Sequence, residues 1–263
     1  MRIICPIKRV PDTAATKRVD PDDHTVDRDG SDPVLNANDE WAIEEALRIS
    51  ERTPGTEIIA LCMGPDAAQT TIRKALSYGL DGAIQVTDPA LSGSDAAATA
   101  RVLAAALADE QFDLVIMGNQ SSDARTMLVP AMLAEHLGVP ALTYVKHLEV
   151  EGDTFTAHRE TAGGHVVVRA QGPLVVSVVE AINEPRYPNF KGIMAAKKKP
   201  LDQRDLATLG VDAGEVGLSG SRTEVLDINP RPPKEAGRKV EDDGSGESGA
   251  AALADWLVEQ KIL

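Results

Sequence analysis

Residues 117–123, Met-Gly-Asn-Gln-Ser-Ser-Asp, follow a short apolar run and precede a helix-like one. A strand-to-helix turn of this kind gathers free backbone N–H groups and the positive end of the helix dipole at one spot, where an anion can sit. Ser121 and Ser122 would add hydroxyl donors. The competing reading is that Ser122 or Asp123 simply caps the helix, and a lone cap carries no function. Company shifts the balance: in a doubly wound sheet the loops after strands one, two and four leave by the same carboxyl edge. Pro6, the turn at 36–39, Met63 and the Gly118 loop are therefore expected to face one crevice. Neither G-x-G-x-x-G nor G-x-x-x-x-G-K-[ST] occurs, so a standard dinucleotide fingerprint and a P-loop are both unsupported.

Other chemistry has little basis. The five histidines, at 24, 136, 147, 158 and 165, are never paired at metal-ligand spacing and read as solvated or strand-face residues. No serine lies in G-x-S-x-G, which leaves a covalent hydrolase without its nucleophile elbow. Cys5 and Cys62 are the only cysteines and both fall in apolar, strand-like runs. They read as buried reduced thiols, not as a disulfide framework or a thiolate metal site. Carboxylates such as Asp22-Asp23 and Asp242-Asp243 sit in charge-rich loops, where a catalytic pair does not stand out.

The stretch 183–199 is different. Tyr187, Phe190, Ile193 and Met194 are apolar groups set among Arg186 and a run of lysines on an otherwise acidic protein, a composition that suits a docking surface with an anchor and a charged rim. The alternative is that Tyr187 and Met194 tuck into the core while the lysines are solvated.

The elements that must position these groups follow from periodicity. Residues 3–10 read as the first strand, and 36–40 offer a capping side chain and early acids before a one-sided stripe of Ala42, Ile43, Ala46, Leu47 and Ile49, which is a helix. Strand 57–63, helix 67–78 with Gly79 as its end cap, strand 83–86, helix 95–108 and strand 113–117 continue the alternation. A helix is expected near 125–137, with Pro130 in its first turn and Gly138 and Pro140 closing it. Alternating residues at 147–150 and turns at Gly152-Asp153 and Gly163-Gly164 then mark an antiparallel insertion, before the apolar central strand 174–179. From Pro185 regular periodicity fades; 229–233 is proline-rich, 242–249 is a Gly/Ser/Asp linker, and Leu253, Trp256 and Leu257 line a short closing helix that needs something to dock on. The expected fold is α/β, a Rossmann-like doubly wound, mostly parallel sheet with a small antiparallel insertion and an extended C-terminal arm. Its expected division is 1–225 for the α/β domain and 226–263 for the arm.

Composition bounds the partners. With 263 residues there is ample chain for a core, and 41 acidic against 27 basic side chains leave a formal charge of −14. That charge repels phosphate backbones and anionic lipid, so nucleic-acid and membrane-surface binding are not expected. No apolar run approaches a membrane span and the N-terminus shows no signal-peptide core, so the expected compartment is the cytoplasm. Aromatic residues are only 3%. The chain alone is poorly supplied with rings to enclose a large planar cofactor, which points to a second protein.

Over nearly its whole length the sequence resembles the beta subunit of electron transfer flavoprotein, with a wording at 190–196 similar to versions from high-GC Gram-positive bacteria. The residues that carry this are Ile7-Lys8-Arg9-Val10-Pro11-Asp12, Asn36 with Glu40-Trp41-Ala42-Ile43-Glu44-Glu45-Ala46, and Thr71-Ile72-Arg73-Lys74-Ala75-Leu76 before Gly79. Gly118-Asn119-Gln120, Arg159-Glu160-Thr161 with Gly163-Gly164, Gly172-Pro173 and 183–199 complete them. The resemblance implies a heterodimer with an alpha subunit that holds most of an FAD, partly covered by beta. It implies an electron carrier without bond-making residues, taking single electrons from flavin dehydrogenases such as acyl-CoA dehydrogenases toward a quinone oxidoreductase. It further implies AMP at the carboxyl edge, with Pro6, Asn36, Ala37, Asn38, Asp39, Met63, Gly118, Asn119, Gln120, Ser121, Ser122, Asp123, Arg125 and Thr126 at the matching positions. Thr13 and Asn38 stand where other members bring aromatic rings near the flavin, and Phe190 stands at the apolar anchor inserted into dehydrogenases. Two other readings remain: a bifurcating electron transfer flavoprotein with a second FAD in the crevice, and an adenine-nucleotide sensor of the universal-stress type.

Overall fold

Ile3, Ile4, Cys5 and Pro6 of strand β1 (Arg2–Pro6) are all buried, because β1 lies inside a sheet covered on both faces. The computed structural model describes residues 1–16, 18–28, 30, 32–229, 232, 237 and 239–263. It forms two compact units, 1–226 and 227–263. In the first, β1 has β4 (Glu57–Met63) on one side and β6 (Leu114–Gly118) on the other, both parallel. On the β4 side, β5 (Gly82–Val86) and the edge strand β11 (Leu201–Arg204) follow. On the β6 side come β10 (Leu174–Val178) and β7 (Ala141–Glu151), still parallel. Then β8 (Thr154–Thr161) and β9 (Gly164–Gln171) add the antiparallel insertion. Strand order reverses at β1, and in such sheets the carboxyl edge there opens a crevice.

Helices fill both faces. α1 (Ala37–Arg52) and α2 (Gln69–Ser77) bury Ile43, Ala46, Ile72 and Leu76 against Ile3, Cys5 and Ile116. α3 (Ala96–Leu107), capped by the Asp95 carboxylate, and α4 (Val129–Leu137) bury Val102, Leu107 and Leu133 against Ile4, Leu61 and Val175 on the other face. Cys5 and Cys62 are both free and buried, as expected. Burial pushes the Cys62 thiol up to about 12, so it stays protonated and inert.

Three expectations need correction. The first strand does not run from 3 to 10: it stops at Pro6, and a second sheet of β2 (Arg9–Pro11) and β3 (Pro33–Leu35) begins after a break at Lys8. The break exists because the Lys8 N–H leaves the ladder for the Asp39 carboxylate. Regular structure also returns after Pro185, as α5 (Phe190–Ala196), β11, α6 (Leu206–Leu209) and α7 (Gly217–Gly220). The edge strand β11 reads Leu-Asp-Gln-Arg, too polar to signal a strand. The third concerns α4, which begins at Val129 and not near 125.

The second unit contains α8 (Glu247–Glu259), none of whose residues is buried. Leu253 and Val258 are more than half exposed. Much of the proline-rich stretch 229–233 lies outside the described residues. Among the described residues no helix is long and apolar enough to cross a membrane.

Candidate functional site at the carboxyl edge

The crevice is assembled from three loops that side chains lace together. Asn36 does not cap α1 with its side chain, contrary to expectation. Its amide spans the crevice instead: Nδ2 donates to Asp39 Oδ1 at 2.9 Å and to the Gln120 carbonyl at 3.0 Å, while Oδ1 accepts from the Ser122 N–H at 3.1 Å. A buried Asn that meets its partners in this way fixes the loop after β6 to the turn before α1.

Asp39 lies beneath. Its carboxylate accepts from Asn36 and from the Lys8 and Gly118 N–H groups. Burial outweighs those bonds and raises its pKa to about 7. Gly118 is required at this contact, since a Cβ there would come within 2.6 Å of Asn38 Cβ and 2.7 Å of Asp39 Oδ1.

The competing reading, in which Ser122 or Asp123 caps the helix, does not hold for Asp123, since α4 opens at Val129. Lys8 Nζ holds Oδ1 at 2.9 Å, and Arg28 Nε holds Oδ2 at 2.9 Å. Its side chain is fully buried, whereas those of Lys8 and Arg28 remain 36% and 38% exposed. Burial would raise the carboxyl, yet Lys8, Ser121 and Arg28 together hold it at about 2. With Asp123 drawn back to Lys8, residues 125 and 127 take left-handed φ values of 52° and 57°, and the helix starts only afterwards. The helix N-terminus therefore lies farther along the chain than 121–123.

Of the expected site residues, 36, 39, 118 and 120–123 come together through these contacts, Pro6 and Met63 end β1 and β4 at the same edge, and Asn119 follows β6 with its N–H on the Val178 carbonyl. Arg125 and Thr126 are exposed beyond Asp123, and Ala37 and Thr13 are also exposed. Asn38 is half-buried and offers no ring. Lys8 and Arg28 were missed as crevice groups. Lys8 was visible as a cation directly after an apolar strand, but Arg28 lies in a polar stretch and nothing in its spacing marks it.

The crevice also contains a buried acceptor without a partner, Gln120 Oε1. An adenylate carries amine and hydroxyl donors for such an atom and an anion for Lys8 and Arg28, so the residues fit that group.

The second surface is 183–196. Arg186 grips Glu44 through Nε at 2.7 Å and Nη2 at 2.9 Å, and Glu51 through Nη1 at 2.6 Å. Asn183 Nδ2 donates to the Trp41 carbonyl at 3.0 Å. Asn189 caps α5, and Gly192 sits against the Ser77 carbonyl, where a Cβ would collide. On this base Tyr187 is 93% and Phe190 79% exposed, and Ile193 and Met194 are about half exposed. Tyr187 and Met194 thus stay out of the core.

The histidines are less scattered than their spacing implied. Pairing of β7, β8 and β9 lines up His147, His158 and His165, with ring centroids 5.1 and 6.1 Å apart. Among the described residues no group of side chains is arranged to hold a metal ion.

Fold and crevice together define a Rossmann-like α/β protein with a polar site at the switch point of its sheet. The chain belongs to the electron transfer flavoprotein family: residues 23–209 match the electron transfer flavoprotein domain. It is 44% identical to the electron transfer flavoprotein subunit beta of Mycobacterium tuberculosis over 99% of both chains. Against the subunit beta of Megasphaera elsdenii it is 39% identical over the full length of each. It is also 34% identical, over the full length of each, to a caffeyl-CoA reductase-Etf complex subunit of Acetobacterium woodii. The role this family membership carries is electron transfer by a beta subunit.

Proposed function

We propose that the chain works as one half of a cytoplasmic heterodimer, its alpha partner holding most of an FAD and its own crevice holding AMP. The flavin, when bound, supplies the one-electron chemistry; the residues described here shape, cover and dock. Flavin dehydrogenases such as acyl-CoA dehydrogenases are the proposed donors, and a quinone oxidoreductase the acceptor. The observation that carries this reading is the exposed row of Tyr187, Phe190, Ile193 and Met194 on a base fastened by Arg186 and Asn183. An apolar anchor held on a rigid base is what a carrier needs to engage and leave several partners. In the crevice, Asn36, Asp39 and Gln120 would face the nucleoside, and Ser121 and Ser122 the phosphate.

Co-expression with an alpha subunit, followed by flavin and nucleotide analysis, tests the whole reading. One FAD and one AMP per heterodimer are expected. Two FAD per heterodimer would favour the bifurcating version, the second reading. A colourless homodimer that needs no partner would refute both in favour of a nucleotide sensor.

A further inference from the structure

Between β2 and β3 the chain makes a long excursion, of which 12–16, 18–28, 30 and 32 are described. Its neck closes with a bond from the Asp12 N–H to the Asp32 carbonyl at 3.1 Å, and Val19 bridges Val26 inside it. From this excursion Arg28 reaches Asp123 on the loop after β6. Lys8, from the break after β1, meets the same carboxylate and also donates to Ser121 Oγ at 3.3 Å.

One carboxylate needs one cation. Here two converge on it, while Asp39, the other acid of the crevice, is turned to the Lys8 and Gly118 N–H groups and the Asn36 amide. Two cations thus stand side by side at one carboxylate in a chain whose formal charge is −14. The Arg28–Asp123 bond uses Nε, so the Nη1 and Nη2 donors lie outside it. Lys8 Nζ has three donors and gives two to Asp123 and Ser121. The free acceptor Gln120 Oε1 belongs to the same loop.

Resting on the reading of the crevice as a nucleotide site, we propose that Lys8 and Arg28 are the cations that hold the ligand's phosphomonoester, Asp123 keeping both in position. A phosphomonoester is close to a dianion at neutral pH and accepts charge-assisted bonds from ammonium and guanidinium groups at once. Because Arg28 sits on the excursion, holding the phosphate also fastens 18–28 beside the nucleotide. The loop becomes a strap whose closure depends on the ligand's charge and not on its base.

Equilibrium binding of AMP and of adenosine to nucleotide-depleted heterodimer decides this, with hydrogen exchange of 18–28 as a second readout. Arg28→Ala should weaken AMP about tenfold or more, the worth of one charge-assisted bond, and leave adenosine unchanged. Arg28→Lys should restore part of the loss. Lys8→Gln should show the same split between the two ligands, and AMP but not adenosine should slow exchange at 18–28 in the wild type only. Equal weakening of AMP and adenosine, or unaltered AMP binding, would overturn the proposal while leaving the nucleotide reading in place. Wild-type heterodimer that binds neither ligand would instead sink the nucleotide reading, and this proposal with it.

Discussion

Asp39 and Asp123 stand a few residues from the same crevice and titrate in opposite senses. Asp123 is held at about 2 against an ordinary 3.8, so its contribution to stability is full above pH 4 and is lost as pH falls toward 2. Asp39 is raised to about 7 by burial. Between pH 4 and 7 the folded chain keeps a proton there that the unfolded chain gives up, so this residue makes stability fall as pH rises through that window. Thermal unfolding of Asp39→Asn across pH 5 to 8 is expected to lack that part of the slope; a slope equal to wild type would contradict the burial argument. For Asp123→Asn the expected loss at pH 7 is about 1–3 kcal/mol by urea denaturation. That is less than a fully buried pair would lose, because Lys8 and Arg28 are partly exposed and screened.

At the level of elements, two helices show how closely packing and function are tied. Gly118 lets β6 pass directly under α1, and Gly118→Ala is expected to destabilise by more than about 2 kcal/mol, because backbone and buried side chains must move apart. A loss below about 0.5 kcal/mol would mean that the two elements can separate without penalty. α5 behaves in the opposite way. Phe190 is exposed, so Phe190→Ala should leave stability within about 0.5 kcal/mol of wild type and leave FAD content intact, yet slow reduction of the heterodimer by a dehydrogenase. Unchanged reduction kinetics would remove the anchor role. β11 explains why the platform is firm: it pairs with β5, while Arg73 in α2 donates to the Ala196 and Lys199 carbonyls at 2.8 and 2.7 Å.

For the whole molecule the informative feature is incompleteness. A helix of 13 residues with none fully buried gains little from packing, and helices of that length are marginal in water. Deleting 247–263 is expected to reduce retention of the alpha partner on a tagged-subunit column; equal retention by the truncated and full chains would show that α8 has no part in assembly.

Sequence by itself determined the alternating architecture, because continuous apolar runs such as Leu-Val-Val-Ser-Val only suit strands buried on both faces, and stripes such as Ala42, Ile43, Ala46 only suit helices lying on them. It also determined which turns meet at the carboxyl edge, since a doubly wound order sends them there. Local pattern misplaced the groups whose partners are distant. Asn36 and Asp123 have the composition of caps, but their bonds go to residues 120–122 and to Lys8 and Arg28, contacts of 84 to 115 positions in sequence that leave no periodic trace. The edge strand β11 escaped for a related reason: it is half solvated, so polar residues serve it well. Only the tertiary structure could decide which carboxylate caps a helix and which neutralises a crevice, because that choice depends on cations brought near by the fold and not by the chain.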